Sequence, residues 1–521
     1  MPINTGIIEF QTKPNFISKG AFQVNKNDKR KHSKSKRKLS KRLKNIPESK
    51  PDPMFTQHQI NYEISERIGA IHCGGIGAMH MLAQNTGLVQ ALDDNLKLLK
   101  IHLPYHESDH ILNMCYNIIA GGRCIEDLEV LRSDPDYMNA LEAERIPDPT
   151  TAGDFLRRFT AGDIESLMDS VNDVRVKIWK RQSRDFRKRG ILNIDATIEE
   201  TTGECKQGMG MSYDGRWSYS PLIVSLHNTR EPLFVENRPG NAHSSRNAAK
   251  WIDRGGRLLK RAFKEVWFRG DTAYNLTKEF DRWTDEGYHF AFGYDARKNL
   301  CAIADEIKDW RPLPRRRTHP VKTNPRRCPE NVKARIVKEK GYRSLHLEKE
   351  EISEFDYRPV HCDRSYRMVV IKKTITVSEG QAYLFDDIRY FFYITNDSKM
   401  SSEDVVYFCN ERCDHENDIE QLRNGIHALK MPTGELLANW AYMVIASLAW
   451  TLKAWMGLLM PHRATGYSII RMEFRRFLNM FINVPAQIIR HSRQLTYRLL
   501  GYMKHAPAFF GFVRRCQHLR L

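Results

Sequence analysis

The chain runs to 521 residues, enough to bury several cores, with 82 Lys and Arg against 63 Asp and Glu for a formal net charge of +19. Ten cysteines form no even, closely spaced framework and no CxxC pair, which argues against a disulfide scaffold and for reduced thiols in a cytoplasmic protein. The surplus of positive charge favours a polyanionic partner, most simply nucleic acid, because Lys and Arg at phosphates release condensed counterions.

Residues 1–55 read as a basic disordered arm. Eleven of the nineteen residues from Lys26 to Lys44 are Lys or Arg, and their mutual repulsion opposes packing until a phosphate backbone relieves it. The first twenty residues show no charged start followed by an apolar run, so no signal peptide is expected. Residues 56–187 read as a helical N-terminal DNA-binding region with apolar positions three and four apart, as in Leu98-Leu-Lys-Ile101 and Ile111-Leu-Asn-Met114. Gly74-Gly-Ile-Gly77 has no preceding strand and no closing glycine, so it predicts a helix start or tight turn, not a dinucleotide loop. Asp148-Pro-Thr-Thr before Phe155-Leu-Arg-Arg-Phe159 predicts a capped helix.

From residue 188 the period changes. Strands are predicted at Ile191–Ile198, Ser218–Leu226 and Pro232–Val235, then a helix at Ser244–Phe263, a strand at Glu265–Arg269, a helix at Leu276–Glu286 and a strand at His289–Tyr294. The order β-β-β-α-β-α-β is that of an RNase H-like mixed sheet, three antiparallel strands continued by parallel ones through crossover helices. Residues 188–300 are read as the first part of that core. A mainly β insertion is expected over 301–395, opening with the Pro/Arg tract Arg311 to Arg327 and continuing through runs at Tyr366–Val377 and Ile388–Thr395. The final core helix is expected within 396–430. Residues 431–521 read as a basic helical C-terminal region; its last 86 residues, from 436, hold twelve Lys and Arg and one acid, Glu473. Within it Leu436–Met460 carries Lys453 as its sole charge and reads as a fully buried helix, not a membrane span.

Three acids stand out in this layout. Asp195 ends Gly190-Ile-Leu-Asn-Ile-Asp195, Asp271 ends Val266-Trp-Phe-Arg-Gly-Asp271, and Glu416 lies in the late helical stretch with Arg412 and Arg423. Strand, strand and helix would deliver hard oxygen ligands to two Mg²⁺ ions, with Mn²⁺ able to substitute, which is what phosphodiester cleavage or joining requires. Glu199, Glu200, Glu204, Asp295, Glu411 and Glu420 are competitors for these roles. Arg412, Glu416 and Arg423, spaced by four and seven, are expected along one helical stripe facing a phosphate backbone. Cys409, Cys413 and His415 match no common zinc spacing.

The set Asn193-Ile-Asp195-Ala-Thr, Asn237-Arg-Pro-Gly-Asn241, Phe268-Arg-Gly-Asp271-Thr-Ala-Tyr274, Arg412-Cys-Asp-His-Glu416-Asn417-Asp-Ile419 and Asn439-Trp440-Ala441 resembles the DDE transposases of bacterial insertion elements, in the branch described as transposase DDE domain group 1. The likeness runs from about residue 70 to 500. It implies Asp195, Asp271 and Glu416 as catalytic and metal-binding residues, and DNA contacts from Arg238, Asn241, Arg269, Arg412 and Arg423. It further implies Mg²⁺-dependent cleavage at terminal inverted repeats, strand transfer into target DNA, action as a homodimer on double-stranded DNA, and a place at the bacterial nucleoid. Related families carry Tyr-x2-Arg-x3-Glu-x6-Lys around the glutamate; here Cys409 stands at the tyrosine position and Arg423 at the lysine position. A catalytically silent DNA-binding descendant and an RNase H-like nuclease without a joining step are the alternatives.

Overall fold

The computed structural model describes residues 26–44, 60–62, 68–102, 104–203, 205–314, 335–336, 339–340, 343–379, 382–491 and 494–519. Lys26–Lys44 is a helix (α1) where the sequence suggested a disordered arm. Lys and Arg have good helix propensity, and no Gly or Pro interrupts the run. A tertiary anchor also holds it: the His32 ring packs tilted against Tyr502, centroids 4.9 Å apart, and its Nε2 lies 2.8 Å from the Met503 carbonyl. The rest of the proposed arm, 1–25 and 45–55, lies outside the described residues.

The N-terminal helices include α2 (Ile76–Asn85), α3 (Glu107–Ile119) and α4 (Ala161–Lys180). Thr160 and Asp163 close a capping box at the start of α4. Asp148 caps Pro149–Leu156 through the Thr151 amide, as its sequence predicts. Gly74 to Gly77 does open a helix, and the glycines serve close approach. The Gly74 and Gly75 amides donate to the Val484 and Ile482 carbonyls at 2.9 and 3.1 Å. Ala70–Ile71 pairs antiparallel with the C-terminal segment, so the two ends of the chain are packed together.

Among the described residues, nine strands form the central sheet. Its core is β1 (Arg189–Ala196), β2 (Leu222–Leu226), β3 (Glu231–Glu236), β4 (Glu265–Gly270) and β5 (His289–Tyr294), in spatial order β3-β2-β1-β4-β5. β1 pairs antiparallel with β2 and parallel with β4, and β5 follows β4 in parallel. This is the mixed RNase H-like sheet that the element order predicted. Helix α5 (Ala248–Lys260) makes the crossover from β3 to β4. Its Gly255 and Gly256 let it sit against Leu192 of β1 and Phe268 of β4, whose side chains would lie 2.8 Å from an added Cβ at each position.

Several details differ from expectation. Ser218–Leu226 is not one strand, because Pro221 breaks it: Trp217–Tyr219 joins a small separate sheet with Glu199–Glu200 and Gly210–Met211. The expected helix at Leu276–Glu286 is α-helical only from Phe280 to Asp285. The inserted strands do not stand apart. β6 (Arg343–Tyr357), β7 (Tyr366–Glu379) and β8 (Ala382–Thr395) extend the same sheet, β8 pairing antiparallel with β5. β6 escaped notice because its charged, partly exposed sequence lacks a clean alternation. The Pro/Arg tract contributes Arg311–Pro312 at the sheet edge; residues 315–334 lie outside the described residues.

After the insertion come α6 (Ser402–Asn410), α7 (Cys413–Glu420), α8 (Leu436–Leu458) and α9 (Arg463–Arg471). Helix α8 is long and apolar enough to cross a membrane, but 94% of its most apolar window is buried inside the protein, which makes it a core helix. The C-terminal region is not wholly helical: β9 (Ala486–His491) and β10 (Gln494–Leu499) form a hairpin before α10 (Ala506–Gln517).

A Cβ on Gly75 would meet the Phe481 carbonyl oxygen at 2.1 Å, while φ there is −73°. The obstacle is steric and set by backbone. Gly75→Ala should therefore cost about 2–4 kcal/mol, whereas Gly87→Ala, at φ +73° in open space, should cost about 1 kcal/mol. Thermal melts that rank the two variants in the opposite order would contradict this packing.

Candidate active site

Register places the two aspartates together. In the parallel pairing of β1 with β4, Asn193 lies opposite Arg269, and each aspartate comes two residues later, so Asp195 and Asp271 reach the same edge of adjacent strands. The register is held by side chains as well as backbone. Arg269 donates from Nε to Asn193 Oδ1 at 2.9 Å and from Nη1 to the Phe408 carbonyl at 2.7 Å, and Nη2 lies 3.0 Å from His227 Nδ1. Asp271 also caps the short turn Thr272–Tyr274 through the Ala273 amide at 2.9 Å, which fixes one of its oxygens.

Glu416 arrives from the first turn of α7. Arg412, just before that helix, connects it to β1. Its Nη1 lies 3.1 Å from Asp195 Oδ2 and its Nη2 lies 3.2 Å from Glu416 Oε1. Asp195 is largely buried, and Glu416 is more than half exposed. Burial does most to raise the Asp195 carboxyl, to about 6. The neighbouring Asp271 carboxylate adds to the rise, Arg412 opposes it, and Glu416 adds again. The three acids thus share one electrostatic neighbourhood. A cleft of about 470 Å³ opens beside Asp271, lined among others by Asp271, Asp295, Tyr393 and Arg412; Asp195 and Glu416 do not line it.

The stripe expected for Arg412, Glu416 and Arg423 holds at its first step, where Arg412 and Glu416 pair four residues apart, and is altered at its second. Helix α6 stops at Asn410, Arg412 lies in the turn before α7, and Gln421–Gly425 widens into a π-turn. The extra residue per turn re-aims Arg423 onto Glu199, at 2.7 Å from its Nη2, and onto the Thr197 hydroxyl. Two expected DNA contacts are corrected. Arg269 has no exposed surface and serves the register of β1 and β4. Arg238, 2% exposed, donates to the Ser220, Ser244 and Arg246 carbonyls and so braces the loop between β3 and α5. Neither guanidinium can reach a phosphate without unfolding its surroundings. Asn241 is exposed on that loop and remains free to meet DNA.

The competing acids have other partners. Glu199 and Glu420 pair with Arg423, Glu200 with Arg216, and Glu411 with Arg269. Asp295 stays on the cleft wall, and Glu204 lies outside the described residues. No zinc site forms at Cys409, Cys413 and His415. Cys409 and His415 are buried, and His415 Nδ1 lies 3.0 Å from Ser225 Oγ. A residue that sequence reasoning missed is Tyr274. It is 1% exposed, and burial together with Asp195 and Asp271 pushes its phenol well up. Its signal was its place in Phe268-Arg-Gly-Asp271-Thr-Ala-Tyr274.

The donor chemistry fits divalent ions of the Mg²⁺ type, which take one or two carboxylates and complete their shell with water and substrate phosphate. Among the described residues no three His, Cys, Asp or Glu side chains form a ready cage for one ion, and Arg412 bridges the Asp195–Glu416 gap. A model of transposase DDE domain group 1 matches residues 69–521. The chain belongs to that family. Its membership carries DNA cleavage and strand transfer as the activity class, DNA as the partner and a general use of divalent metals. No curated protein matches this transposase by sequence. Among solved structures it is remotely similar to the piggyBac transposase in a synaptic complex with hairpin DNA, at 10% identity and a TM-score of 0.34, over 78% of this chain and 84% of that one.

An acid whose value is raised in the fold favours the protonated state. That contribution is full below about pH 4 and is lost as pH rises through about 6. At about 1.4 kcal/mol per pH unit, ionising Asp195 costs the metal-free protein on the order of 3 kcal/mol by pH 8. Asp195→Asn should therefore melt higher than wild type at pH 8 in EDTA, with the gap closing toward pH 5. Melting curves that coincide at pH 8 would refute the raised pKa of the buried Asp195.

Proposed function

We propose that this chain is the transposase of a bacterial insertion sequence, cutting DNA at terminal inverted repeats and joining the freed 3′-hydroxyl to target DNA, with Asp195, Asp271 and Glu416 as its catalytic carboxylates. The observation that carries this reading is the shared register of Asp195 and Asp271, with Glu416 tied to Asp195 through Arg412. Asp195, Asp271 and Glu416 would hold divalent ions of the Mg²⁺ or Mn²⁺ type, two in this reading, which would supply activation of the attacking oxygen and neutralisation of phosphate charge.

The chain's own residues do the positioning. Asp271, with one oxygen held by the Ala273 amide, presents the other to the cleft. Arg412, once released from the two carboxylates, is the guanidinium best placed to grip the scissile phosphate in two-pronged fashion. Tyr274, packed beneath the aspartates, keeps water from their buried side. The basic N- and C-terminal regions, joined by α1 and the β9–β10 hairpin, supply phosphate contacts along the duplex, and two copies would hold paired ends.

Supercoiled plasmid carrying the element's ends tests this reading. Asp195→Asn, Asp271→Asn and Glu416→Gln should each lower nicking by at least about 10³-fold in Mg²⁺ while end binding in a mobility-shift assay changes less than about threefold. Wild-type nicking by any one of them removes that residue from the site. Failure of the wild-type protein to nick at all would leave a DNA-binding protein without catalysis.

A further inference from the structure

Glu416 sits on a helix that does not control its own direction. Helix α7 has eight residues, fewer than an isolated helix needs to be stable. The turn at Glu411 and Arg412 separates it from α6, and the π-turn at Gln421–Gly425 separates it from the chain leading to α8. Tertiary contacts therefore set its orientation: Arg412 and Arg423 tie its ends to Asp195 and Glu199, and further contacts lie on the face away from Glu416.

Those contacts centre on one arginine in the β2–β3 hairpin. Arg230 reaches α7 with both terminal nitrogens: Nη2 lies 3.3 Å from Asp414 Oδ2 and Nη1 lies 3.5 Å from Asp418 Oδ1. Asp414 and Asp418 are one turn apart and share a face, and Glu416 falls between them on the opposite side. Asp418 is buried, and neither of its oxygens has a hydrogen-bond partner, so Arg230 supplies its nearest compensating charge among the ion pairs of the described residues. Beneath it Lys453, fully buried on α8, donates to the Ile470 carbonyl at 3.0 Å and stacks on Trp450. Beside the latch, His415 meets Ser225 of β2.

The backbone marks Arg230 as well. Its φ is +59°, in the left-handed region that non-glycine side chains seldom adopt, and its amide closes the hairpin on the Leu226 carbonyl at 2.7 Å. Glycine would suit that turn better. An arginine there is useful only for what its side chain reaches.

We propose that Arg230 is a positioning residue for DNA cleavage: by clamping Asp414 and Asp418 it fixes the tilt of α7, and through it the placement of Glu416 opposite Asp195 and Asp271. This rests on the function proposed above. Arg230 touches neither DNA nor the reacting atoms, so it acts on the chemical step through geometry, where a misplacement of about 1 Å can cost about 10²-fold.

The test is Arg230→Gly, which removes the clamp and relieves the backbone at once. It leaves Asp418 buried without its partner, so it should melt below wild type even with the backbone relieved, yet below that temperature it should stay folded and bind element ends with unchanged affinity. Its nicking rate at saturating protein and Mg²⁺ should nevertheless fall about 10- to 100-fold. Arg230→Lys should restore part of the rate by offering one point charge, and adding Asp418→Asn to Arg230→Gly should lower it little further, because both break one interaction. Nicking by Arg230→Gly within about twofold of wild type overturns the proposal. Should that variant fail to fold, wild-type rates in both Arg230→Lys and Asp414→Asn would overturn it equally. If instead Asp195→Asn cleaves normally, the assignment of the active site fails and not the latch alone.

Discussion

The bond from Arg269 to Asn193 is the contact on which the site depends. Parallel strands have no hairpin to fix their alignment, and a slip of one residue would turn every side chain on β4 to the other face. Arg269, buried between β1, the β2–β3 turn and the end of α6, bonds directly across the strand pair. With that alignment set, Asp195 and Asp271 must emerge side by side two residues later. A buried guanidinium is costly unless its donors are used, and here they are spent on three separate elements, which makes the alignment hard to change piecemeal.

Gathering carboxylates works against folding. Asp195 is buried next to Asp271 and within reach of Glu416, and burial first, then the Asp271 carboxylate, raise its pKa. Arg412 offsets part of it by bridging Asp195 and Glu416. On the proposed function, the same bridge would hold the gap against a cation until a DNA phosphate took over the guanidinium. Substrate and metal would then be admitted together, with the protein's own cation serving as placeholder.

Around this centre, the insertion and the chain ends are parts of one body. β6 to β8 extend the catalytic sheet through β5, so the insertion is rigidly coupled to the strand beside Asp271. The β9–β10 hairpin pairs with Ala70–Ile71, and the glycines at 74 and 75 let the N-terminal helices dock on the C-terminal segment at backbone distance. Basic surfaces far apart in sequence are thereby held in a fixed relation, as phosphate contacts along one duplex require.

The sequence alone determined the class of fold and singled out the three acids as candidates. Apolar runs of period two bounded by turn residues placed β1, β3, β4 and β5, and the motifs around Asp195, Asp271 and Glu416 marked the chemistry, because local pattern and residue type are read directly from the chain. It also marked α8 as a core helix. Tertiary structure decided what each arginine does. Arg238 and Arg269 both stand in the family motifs, Arg269 two residues before Asp271, yet one braces a loop and the other locks a register, since burial depends on partners distant in sequence. The π-turn that sends Arg423 to Glu199, the break that frees Arg412 to bridge two carboxylates, and the left-handed Arg230 that grips α7 likewise arise from packing, which no single stretch of the chain encodes.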